Sequence, residues 1–438
     1  MAPDPTIMKA VEKLGYRVTV GDVATQAGLN INLAQQGLLA LATDAGGHLQ
    51  VAESGEIAYL FPKNFRSILR NKFLRLQLQD WWEKIWRVLF YLIRISFGIV
   101  LLLSIFLIVL TIALIIIGIN ASSDNNDSGD SGRHSNGGGA IFMPHFWIGP
   151  DIFWFFDPGY DRRYRRQKAA SQKTEMNFLE AIFSFLFGDG NPNADLEERR
   201  WQEIATVIRN SRGAVAAEQI SPYLDDLGEK SNRELEDYML PVLTRFNGRP
   251  EVSPDGEIVY HFPDLQTTAS SWQPQSVPAY LRERPWRFSQ ASSGQLMLSI
   301  GLGALNLVGA LVLGSLLKDG IVAAQLGGLV AFVQSIYWLL LVYGVGFLAI
   351  PLIRYFWIQL KNNQLEARNQ KRQEQAVILN QADAPLQKKI GYAQQFAAQN
   401  VIKEDDLVYT SEKDLLDQES ERSSQIDAEW QRRLESGS

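Results

Sequence analysis

The side chains that most often carry chemistry are few and scattered in this sequence. The four histidines are His48, His134, His145 and His261, and none has a metal-ligating partner one turn away on a helix. There is no cysteine, which excludes disulfides, thiolate catalysis and iron–sulfur centres held by cysteines of this chain. The motifs of serine hydrolases, P-loop nucleotidases and dinucleotide-binding folds are missing. We therefore expect a protein that is not an enzyme and that has no catalytic, cofactor-binding or metal-binding residues.

One loop imitates a calcium site. The run Asp189-Gly-Asn-Pro-Asn-Ala-Asp195 places oxygen side chains at alternate positions. However, Ala194 and Arg200 stand where such a loop needs a glycine and a bidentate glutamate. A turn in which Asp195 caps the next helix is the better interpretation.

A repeated strand motif is the strongest pattern in the chain. The stretch Gly55-Glu-Ile-Ala-Tyr-Leu-Phe-Pro62 recurs as Gly256-Glu-Ile-Val-Tyr-His-Phe-Pro263. In each copy a glycine turn precedes alternating apolar residues and a proline follows them, which predicts a strand with one buried face. The signature residues are Gly55, Glu56, Ile57, Tyr59, Phe61 and Pro62 in the first copy, and Gly256, Glu257, Ile258, Tyr260, Phe262 and Pro263 in the second. The same offset relates Leu39 to Leu240 and Gly47 to Gly248, so the repeat is about fifty residues long.

Helical patterns precede both copies of the motif. We predict helices over residues 6–14, 20–26 and 32–43, and again over 201–210, 216–224 and 232–246, where Pro241 interrupts the last helix. Three helices followed by a hairpin are typical of a winged helix. The chain is thus expected to contain two winged-helix-like modules, at residues 1–62 and 196–263.

The third helix of each module bears on nucleic-acid binding. The phrase from Asp22 to Leu29 is similar to a helix-turn-helix, whose following helix would enter the major groove. That helix offers Asn32, Gln35 and Gln36 but no lysine or arginine, and its counterpart in the second module is acidic. Base readout and phosphate binding both favour cations there, so we expect protein interaction rather than nucleic-acid binding.

Three long apolar stretches indicate a membrane protein. Residues 88–119 contain one charged residue, Arg94, and residues 295–317 and 321–353 contain none. Each stretch exceeds the roughly 20 residues that span a bilayer as a helix. We predict transmembrane helix 1 within residues 63–119 and a transmembrane hairpin over 295–357, whose second span ends at Pro351.

Basic and aromatic residues flank these stretches. Residues 63–87 predict a basic amphipathic helix on the membrane surface. The positive-inside rule then places the first module on the cytoplasmic or stromal side. The predicted membrane-anchoring residues are Arg70, Arg75, Trp81, Trp82, Trp86, Arg162, Arg163, Arg165, Arg166 and Trp357.

The remaining segments connect these parts. Residues 120–139 predict a flexible loop, and residues 140–195 predict an aromatic segment that re-enters or spans the membrane, followed by a helix on the membrane or in the groove between the modules. Crossing or re-entry by 140–157 would put both modules on the inner side, which charge and duplication favour; otherwise the second module lies outside. Residues 264–294 predict a polar linker. Residues 358–438 predict a charged helical tail, either solvated or docked on a partner.

Three stretches resemble a known family. The run from Phe146 to Trp154, the stretch from Met176 to Asn193 and the two repeated strands are similar to a membrane-protein family of cyanobacteria and plastids. Plant members of that family carry the label iron–sulfur cluster biosynthesis family protein. The resemblance extends over most of the chain, and it implies a thylakoid or plasma membrane of a cyanobacterium, or a plastid envelope.

Together these patterns predict a mainly α protein with small β-hairpins, in which duplicated winged-helix-like modules are combined with transmembrane helices and a C-terminal helical tail. We expect an integral membrane scaffold or assembly and biogenesis factor that presents the paired modules for protein–protein interaction at the cytoplasmic or stromal face. Its partners would be membrane lipid and another protein or membrane complex. Two alternatives remain open, a membrane-tethered nucleic-acid-binding regulator and a channel or transporter component.

Overall fold

The structure is a computed structural model of the 438-residue chain, and it describes residues 4–124, 176–225, 236–271, 273–318 and 320–436. The predictions for the loop at 120–139 beyond residue 124 and for the aromatic segment at 140–157 therefore lie outside the described residues. The chain forms two compact units. Unit 1 comprises residues 1–87, 191–286 and 359–438, and unit 2 comprises residues 88–190 and 287–358.

The first module begins unit 1. Its elements are α1 (Pro5–Lys13), β1 (Arg17–Thr19), α2 (Val20–Ala27), α3 (Ile31–Ala45), β2 (His48–Ala52) and β3 (Ile57–Leu60). Asp4 caps α1, and Thr19 forms a capping box with Asp22 at the start of α2. Gly28 and Gly46 adopt left-handed conformations that end α2 and α3. The three helices and the hairpin lie where the sequence predicts them, and β1 is an additional strand that pairs with β3.

Two helices follow the first module. These are α4 (Phe65–Lys72) and the long α5 (Leu74–Asp124). Phe65 and Leu69 of α4 are fully buried, whereas Arg70 is exposed, so α4 is amphipathic. The part of α5 from Lys84 to Asn120 is long and apolar enough to cross a membrane.

The second module follows a short apolar helix. The elements are α6 (Phe178–Phe187), α7 (Leu196–Asn210), β4 (Ala214–Val215), α8 (Ala217–Ile220), α9 (Leu240–Phe246), β5 (Arg249–Val252) and β6 (Ile258–His261). Pro241 lies in the first turn of α9, where the missing N–H group costs no helical hydrogen bond. The prediction that Pro241 interrupts a helix over 232–246 is therefore wrong, because α9 begins at Leu240, just before this proline and directly after the 3₁₀ turn Asp237–Met239.

The two modules share local geometry as well as sequence. Each has a three-stranded antiparallel arrangement, β1-β3-β2 in the first and β4-β6-β5 in the second. The amide of Phe61 donates to the carbonyl of Tyr16 at 2.8 Å, and that of Phe262 donates to Gly213 at 2.8 Å. The hairpin glycines Gly55 and Gly256 have φ values of 83° and 88°. The repeated sequence therefore coincides with a repeated backbone geometry.

The last third of the chain alternates between the two units. Its elements are β7 (Thr267–Thr268), α10 (Ser293–Leu317), α11 (Ile321–Leu326), α12 (Gly328–Asn380), α13 (Ala384–Ala393), β8 (Asn400–Val401), β9 (Leu407–Thr410) and α14 (Leu415–Ser436). Like α5, helices α10 and α12 are long and apolar enough to cross a membrane. Pro351 lies inside α12, so the helix does not stop at the predicted end of the second span but continues to Asn380.

Unit 2 is built on the apolar parts of α5, α10 and α12, together with α6. Phe185 of α6 packs against Phe288 and Phe347, and Phe183 packs edge-on against Phe97 of α5. The prediction that α6 fills a groove between the modules is therefore wrong, since it belongs to unit 2. Ser104 donates to Asn306 at 2.7 Å within the buried part of this unit.

Unit 1 has one hydrophobic core to which both modules contribute. Val23 and Leu38 from the first module, and Ile204 and Phe246 from the second, are fully buried in it. Leu281, which lies in the predicted linker, is fully buried in the same core. The two modules thus pack together through a shared core and are not separate domains joined by a linker.

The C-terminal tail is also part of unit 1. Strand β9 pairs with β2 and gives the first sheet the order β1-β3-β2-β9, while β8 pairs in parallel with β7. Ile402, Ala269 and Leu407 cover Ala58 on the face of the sheet opposite to Tyr59. The predicted helical tail therefore also supplies strands that complete the first module.

Candidate functional site

A buried ion pair joins the two modules. Oδ1 of Asp22, in α2, accepts a hydrogen bond from Nη2 of Arg209, in α7, at 2.7 Å. Oδ1 also accepts from the Thr268 hydroxyl at 2.9 Å, and Oδ2 accepts from the backbone amides of Thr19 at 2.9 Å and Ala269 at 3.0 Å. Asp22 therefore links both modules and the segment that follows the second module.

A polar cavity lies beside this ion pair. Its volume is about 310 Å³, which is at the lower end of the range for small-molecule sites. The first module contributes Leu14, Asp22, Thr25 and Gln26, the second contributes Arg199, Gln202, Glu203, Thr206 and Arg209, and residues 275–278 close one side. The cavity thus depends on the pairing of the modules.

Glu203 is the unusual residue of this cavity. Its carboxylate forms no hydrogen bond or ion pair with any group that the structure describes, and its Oε2 atom is buried. Burial raises the pKa of Glu203, and the positive charges of Arg199 and Arg372 offset only part of this effect. A buried carboxyl group without a hydrogen-bond partner in a cleft is a common feature of binding sites.

A second charged cluster fixes the tail. Nζ of Lys389, in α13, lies 2.9 Å from Glu218 and 2.5 Å from Glu236 of the second module, and Tyr260 donates to Glu236 at 2.8 Å. Burial alone would lower the pKa of Lys389, but its hydrogen bonds to Glu236 and Glu218 raise it. The tail is thus held by a buried, ionised lysine.

The end of α12 is fixed in a similar way. Arg368 forms a bidentate pair with Glu283 at 2.7 and 2.6 Å, and Arg372 donates to Glu283 at 3.0 Å. Asn369 bonds the backbone of Glu283 through both its amide oxygen and its amide nitrogen. These contacts hold residues 281–283 against α12 within unit 1.

The exposed face of α3 is a second candidate for binding. Leu33 and Leu39 are 58% and 51% exposed, and Asn32, Gln35 and Gln36 are exposed beside them. The helix contains no lysine or arginine. The face is therefore apolar and uncharged, which suits contact with protein better than contact with phosphate.

The signature residues have structural roles. Tyr59, Phe61, Tyr260 and Phe262 are buried, whereas Ile57 is 39% exposed. Because Ala58 and Val259 are also buried, both faces of β3 and β6 are covered. The prediction that each strand has one buried face is therefore wrong.

The other signature residues form turns and polar links. Gly55 and Gly256 form the hairpin turns, Pro62 follows β3, and Pro263 starts a 3₁₀ turn after Ile258–His261. Glu56 accepts hydrogen bonds from Thr267 and Asn400, and the carboxylate of Glu257 lies 3.9 Å from Lys389.

The predicted anchoring residues are only partly described. Trp81, Trp82 and Trp86 of α5 are half exposed or more, and the rings of Trp82 and Trp86 stack with centroids 6.4 Å apart. Arg70 is exposed on α4, and Trp357 is 45% exposed on α12. Arg162, Arg163, Arg165 and Arg166 lie outside the described residues, as does the side chain of Arg75.

The residues at these sites, Asp22, Arg209, Glu203 and Lys389, are not among those predicted from the sequence. One signal was available for Arg209, because it follows Ile208 on the apolar stripe of α7 that also contains Trp201 and Ile204. A charged residue on such a stripe predicts a buried partner. The partner itself, Asp22, comes from the other module and leaves no trace in local spacing.

Comparison with known proteins identifies a close plant relative. An uncharacterized chloroplast protein of Arabidopsis thaliana is 40% identical to this chain over 441 residues, which cover 98% of the chain and 81% of the plant protein. No protein-family model matches the chain. No solved structure matches it significantly.

Proposed function

We propose that this chain, which belongs to the family of the A. thaliana chloroplast protein, is an integral membrane scaffold or assembly factor that binds another protein through paired winged-helix-like modules. The setting would be a plastid membrane or a related photosynthetic membrane. The chloroplast location in the name of the relative and the three apolar helices support this setting. No step of catalysis is part of the proposal.

The winged-helix interpretation is supported by element order. Each module has a helix, a short strand, a second helix, a helix before the hairpin, and a hairpin whose second strand pairs with the short strand. The hairpin would be the wing, and α3 and α9 would be the helices that precede it. A duplicated ancestor would explain why both copies keep this order.

We also propose that both modules lie on the same side of the membrane. Asp22 and Arg209 are in direct contact, and groups in contact share one compartment. Because the chain has no cysteine, this can be tested with Ser54→Cys and Asp255→Cys, which lie at equivalent exposed turn positions. A membrane-impermeant maleimide should label both variants in vesicles of one orientation and neither in the opposite orientation. Labelling of only one variant would contradict the arrangement.

The observation that carries the proposed function is the uncharged, partly apolar face of α3. Leu33 and Leu39 are exposed on this face beside a row of amides, which gives it a mixed apolar and neutral polar character. A nucleic-acid reader would instead need arginine or lysine at these positions. A protein surface with complementary apolar groups is the partner that this face fits best.

The test is affinity purification of the full chain from its native membrane in mild detergent. We expect a defined protein to co-purify with the wild type and to be lost from a Leu39→Asp variant. The matched control is Leu415→Asp, which changes a 65% exposed leucine in the tail and should keep the partner. The proposal would be contradicted if the chain elutes alone at every stage. It would also be contradicted if the partner co-purifies equally well with the Leu39→Asp variant. Co-purified nucleic acid would support the tethered-regulator alternative instead.

A further inference from the structure

Several polar side chains that line the cavity beside Asp22 and Arg209 can act only as hydrogen-bond acceptors toward a ligand. The hydroxyl of Thr25 donates to the carbonyl of Gly21 at 2.8 Å, and that of Thr206 donates to Gln202 at 2.6 Å. Each hydroxyl donates its only proton to a backbone carbonyl of its own helix. It can therefore act only as a hydrogen-bond acceptor toward the cavity.

Gln202 continues this pattern. Its amide nitrogen donates to the carbonyl of Gln26 at 3.1 Å and to Glu198 at 3.0 Å, so both amide protons are used. Its amide oxygen remains as an acceptor. With the carboxylate of Glu203, this part of the lining offers four acceptor groups to a ligand that brings hydrogen-bond donors.

Arg199 differs from these groups because it offers hydrogen-bond donors and a positive charge. It pairs with Asp195 at 3.2 Å and donates from Nη1 to the carbonyl of Arg282 at 3.3 Å, while its buried Nη2 donates to no group that the structure describes. An unused guanidinium donor is a natural partner for a carboxylate. Arg199 and Glu203 are four residues apart on α7 and therefore lie on the same face of the helix.

These features select among ligand types. A simple anion would meet the carboxylates of Glu203 and Asp22, and a simple amine would meet the guanidinium groups of Arg199 and Arg209. A small molecule with both charges can direct its ammonium group to the acceptors and its carboxylate to Arg199. We infer that this cavity binds a small zwitterion of the α-amino acid class.

Such a ligand would act on the pairing of the modules. Thr25 belongs to the first module, whereas Arg199, Gln202 and Glu203 belong to the second, so an occupant contacts both. Binding to the paired state stabilises that state by mass action. The site stands on its own geometry and does not depend on the protein partner proposed above.

The ligand class can be tested with the purified full-length chain in mild detergent. Each of the standard amino acids is added separately at millimolar concentration while thermal unfolding is recorded. We expect at least one to raise the Tm in a concentration-dependent manner. Its analogues without the amino group or without the carboxyl group should give much smaller shifts.

Variants then locate the site. Glu203→Gln is isosteric and should weaken the Kd by about tenfold or more, because it removes the charge that faces the ammonium group. Arg199→Lys should also weaken binding, since a lysine loses the forked geometry of the guanidinium. The control is Glu53→Gln, a matched substitution at an exposed hairpin residue, which should bind as the wild type does.

Three results would overturn the inference. The first is the absence of any Tm shift with all of the amino acids. The second is equal binding of an analogue that carries only one charged group, and the third is unchanged binding by a folded Glu203→Gln variant. A failure of this kind would leave partner capture by the α3 face intact, so the two proposals can be judged separately.

Discussion

The side chains of Asp22 and Arg209 lie 2.7 Å apart although they are 187 residues apart in the chain, and their side chains are only 6% and 3% exposed. This contact makes the two modules a single body. A buried pair of this kind is sensitive to the loss of either partner, because the remaining charge is left without compensation.

Replacing one member of this pair should destabilise unit 1. Arg209→Ala is expected to lower the free energy of unfolding by about 3 to 5 kcal/mol. Asp22→Ala should cost more, because Asp22 also accepts from the amides of Thr19 and Ala269. Denaturant unfolding followed by tryptophan fluorescence measures both. The control is Glu12→Ala, which breaks a pair between the half-buried Glu12 and the exposed Arg66 and should cost less than about 1 kcal/mol.

Two glycines at equivalent positions of the modules should not tolerate substitution, because each packs against a phenylalanine ring. A Cβ at Gly47 would lie 2.9 Å from the ring of Phe61, and one at Gly248 would lie 2.4 Å from the ring of Phe262. Gly47→Ala and Gly248→Ala should each lower stability by about 1 to 3 kcal/mol through overpacking. Gly391→Ala in α13 meets nothing within 4 Å and should be neutral or stabilising. Equal effects at all three positions would refute this explanation.

Lys389 should control attachment of the tail. Lys389→Met leaves Glu236 buried without its cation, so we expect faster proteolysis of residues 394–414. Lys388→Met is the matched control, because Lys388 is exposed and its ion pair is with the exposed Asp255. If the tail of Lys389→Met is cleaved no faster than that of the wild type, the prediction is wrong, and the strands alone are enough to hold the tail.

The same lysine predicts a pH dependence. Because the pKa of Lys389 is raised in the folded chain, its contribution is complete below the ordinary pKa of a lysine. It is lost as the pH rises through the raised value. Proteolysis of the tail should therefore increase at strongly alkaline pH in the wild type and show less dependence on pH in Lys389→Met.

Strand β9 offers a test of sheet pairing. The amide of Ser411 donates to Leu49 at 2.9 Å, whereas Val408 is the extra residue of a bulge and has no opposite residue in the register with β2. Ser411→Pro should weaken the strand and increase exchange of the β2 amides. Val408→Pro should be tolerated better. Hydrogen exchange measured by mass spectrometry distinguishes the two variants, and equal exchange would contradict the pairing.

Glu203 should lower stability at neutral and alkaline pH. Since burial raises its pKa, the folded chain favours the protonated form, and this contribution is lost as the pH rises through the raised value. The nearby charged and titratable groups are Arg199, Arg372 and Tyr223. We expect Glu203→Gln to have a higher Tm than the wild type at pH 8 and about the same Tm at pH 4. A lower Tm at pH 8 would mean that the carboxylate is compensated after all.

The module elements could be predicted from sequence because their signals are local. Capping residues such as Thr19 and left-handed glycines such as Gly28 and Gly46 mark helix ends wherever the helix packs. Strand β9 carries a similar signal, Leu-Val-Tyr-Thr at residues 407–410, which is typical of a strand but lies in a segment whose charge predicts a helix. The charged residues on both sides of this stretch favour a helix prediction over a strand prediction.

The choice of partner for β9 has a physical cause that becomes visible only when the modules are compared. The amides of Leu49 and Glu53 point away from β3 and bond Ser411 and Asp406 of the tail. Their equivalents in the second module are Pro250 and Pro254, which have no N–H group. The second sheet therefore cannot accept the same strand, and the tail pairs with the first.

The cavity and the buried charges could not be predicted in this way. Glu203 and Lys389 occupy positions that would suit any exposed helix, and their burial depends on elements far away in sequence. Only the packing of α7 against α2 and of α13 against the second module makes them unusual. Long-range placement of this kind leaves no periodic pattern.

The pairing of Gln50 with Thr410 also sets an order in time. Translation produces β9 long after β2, because the long apolar helices α5, α10 and α12 lie between them in the chain. Until then the face of Ala58 has no cover from Ile402 or Leu407. The first module therefore reaches its final form only after residues 402–410 have been synthesised, although its own helices and hairpin are made much earlier.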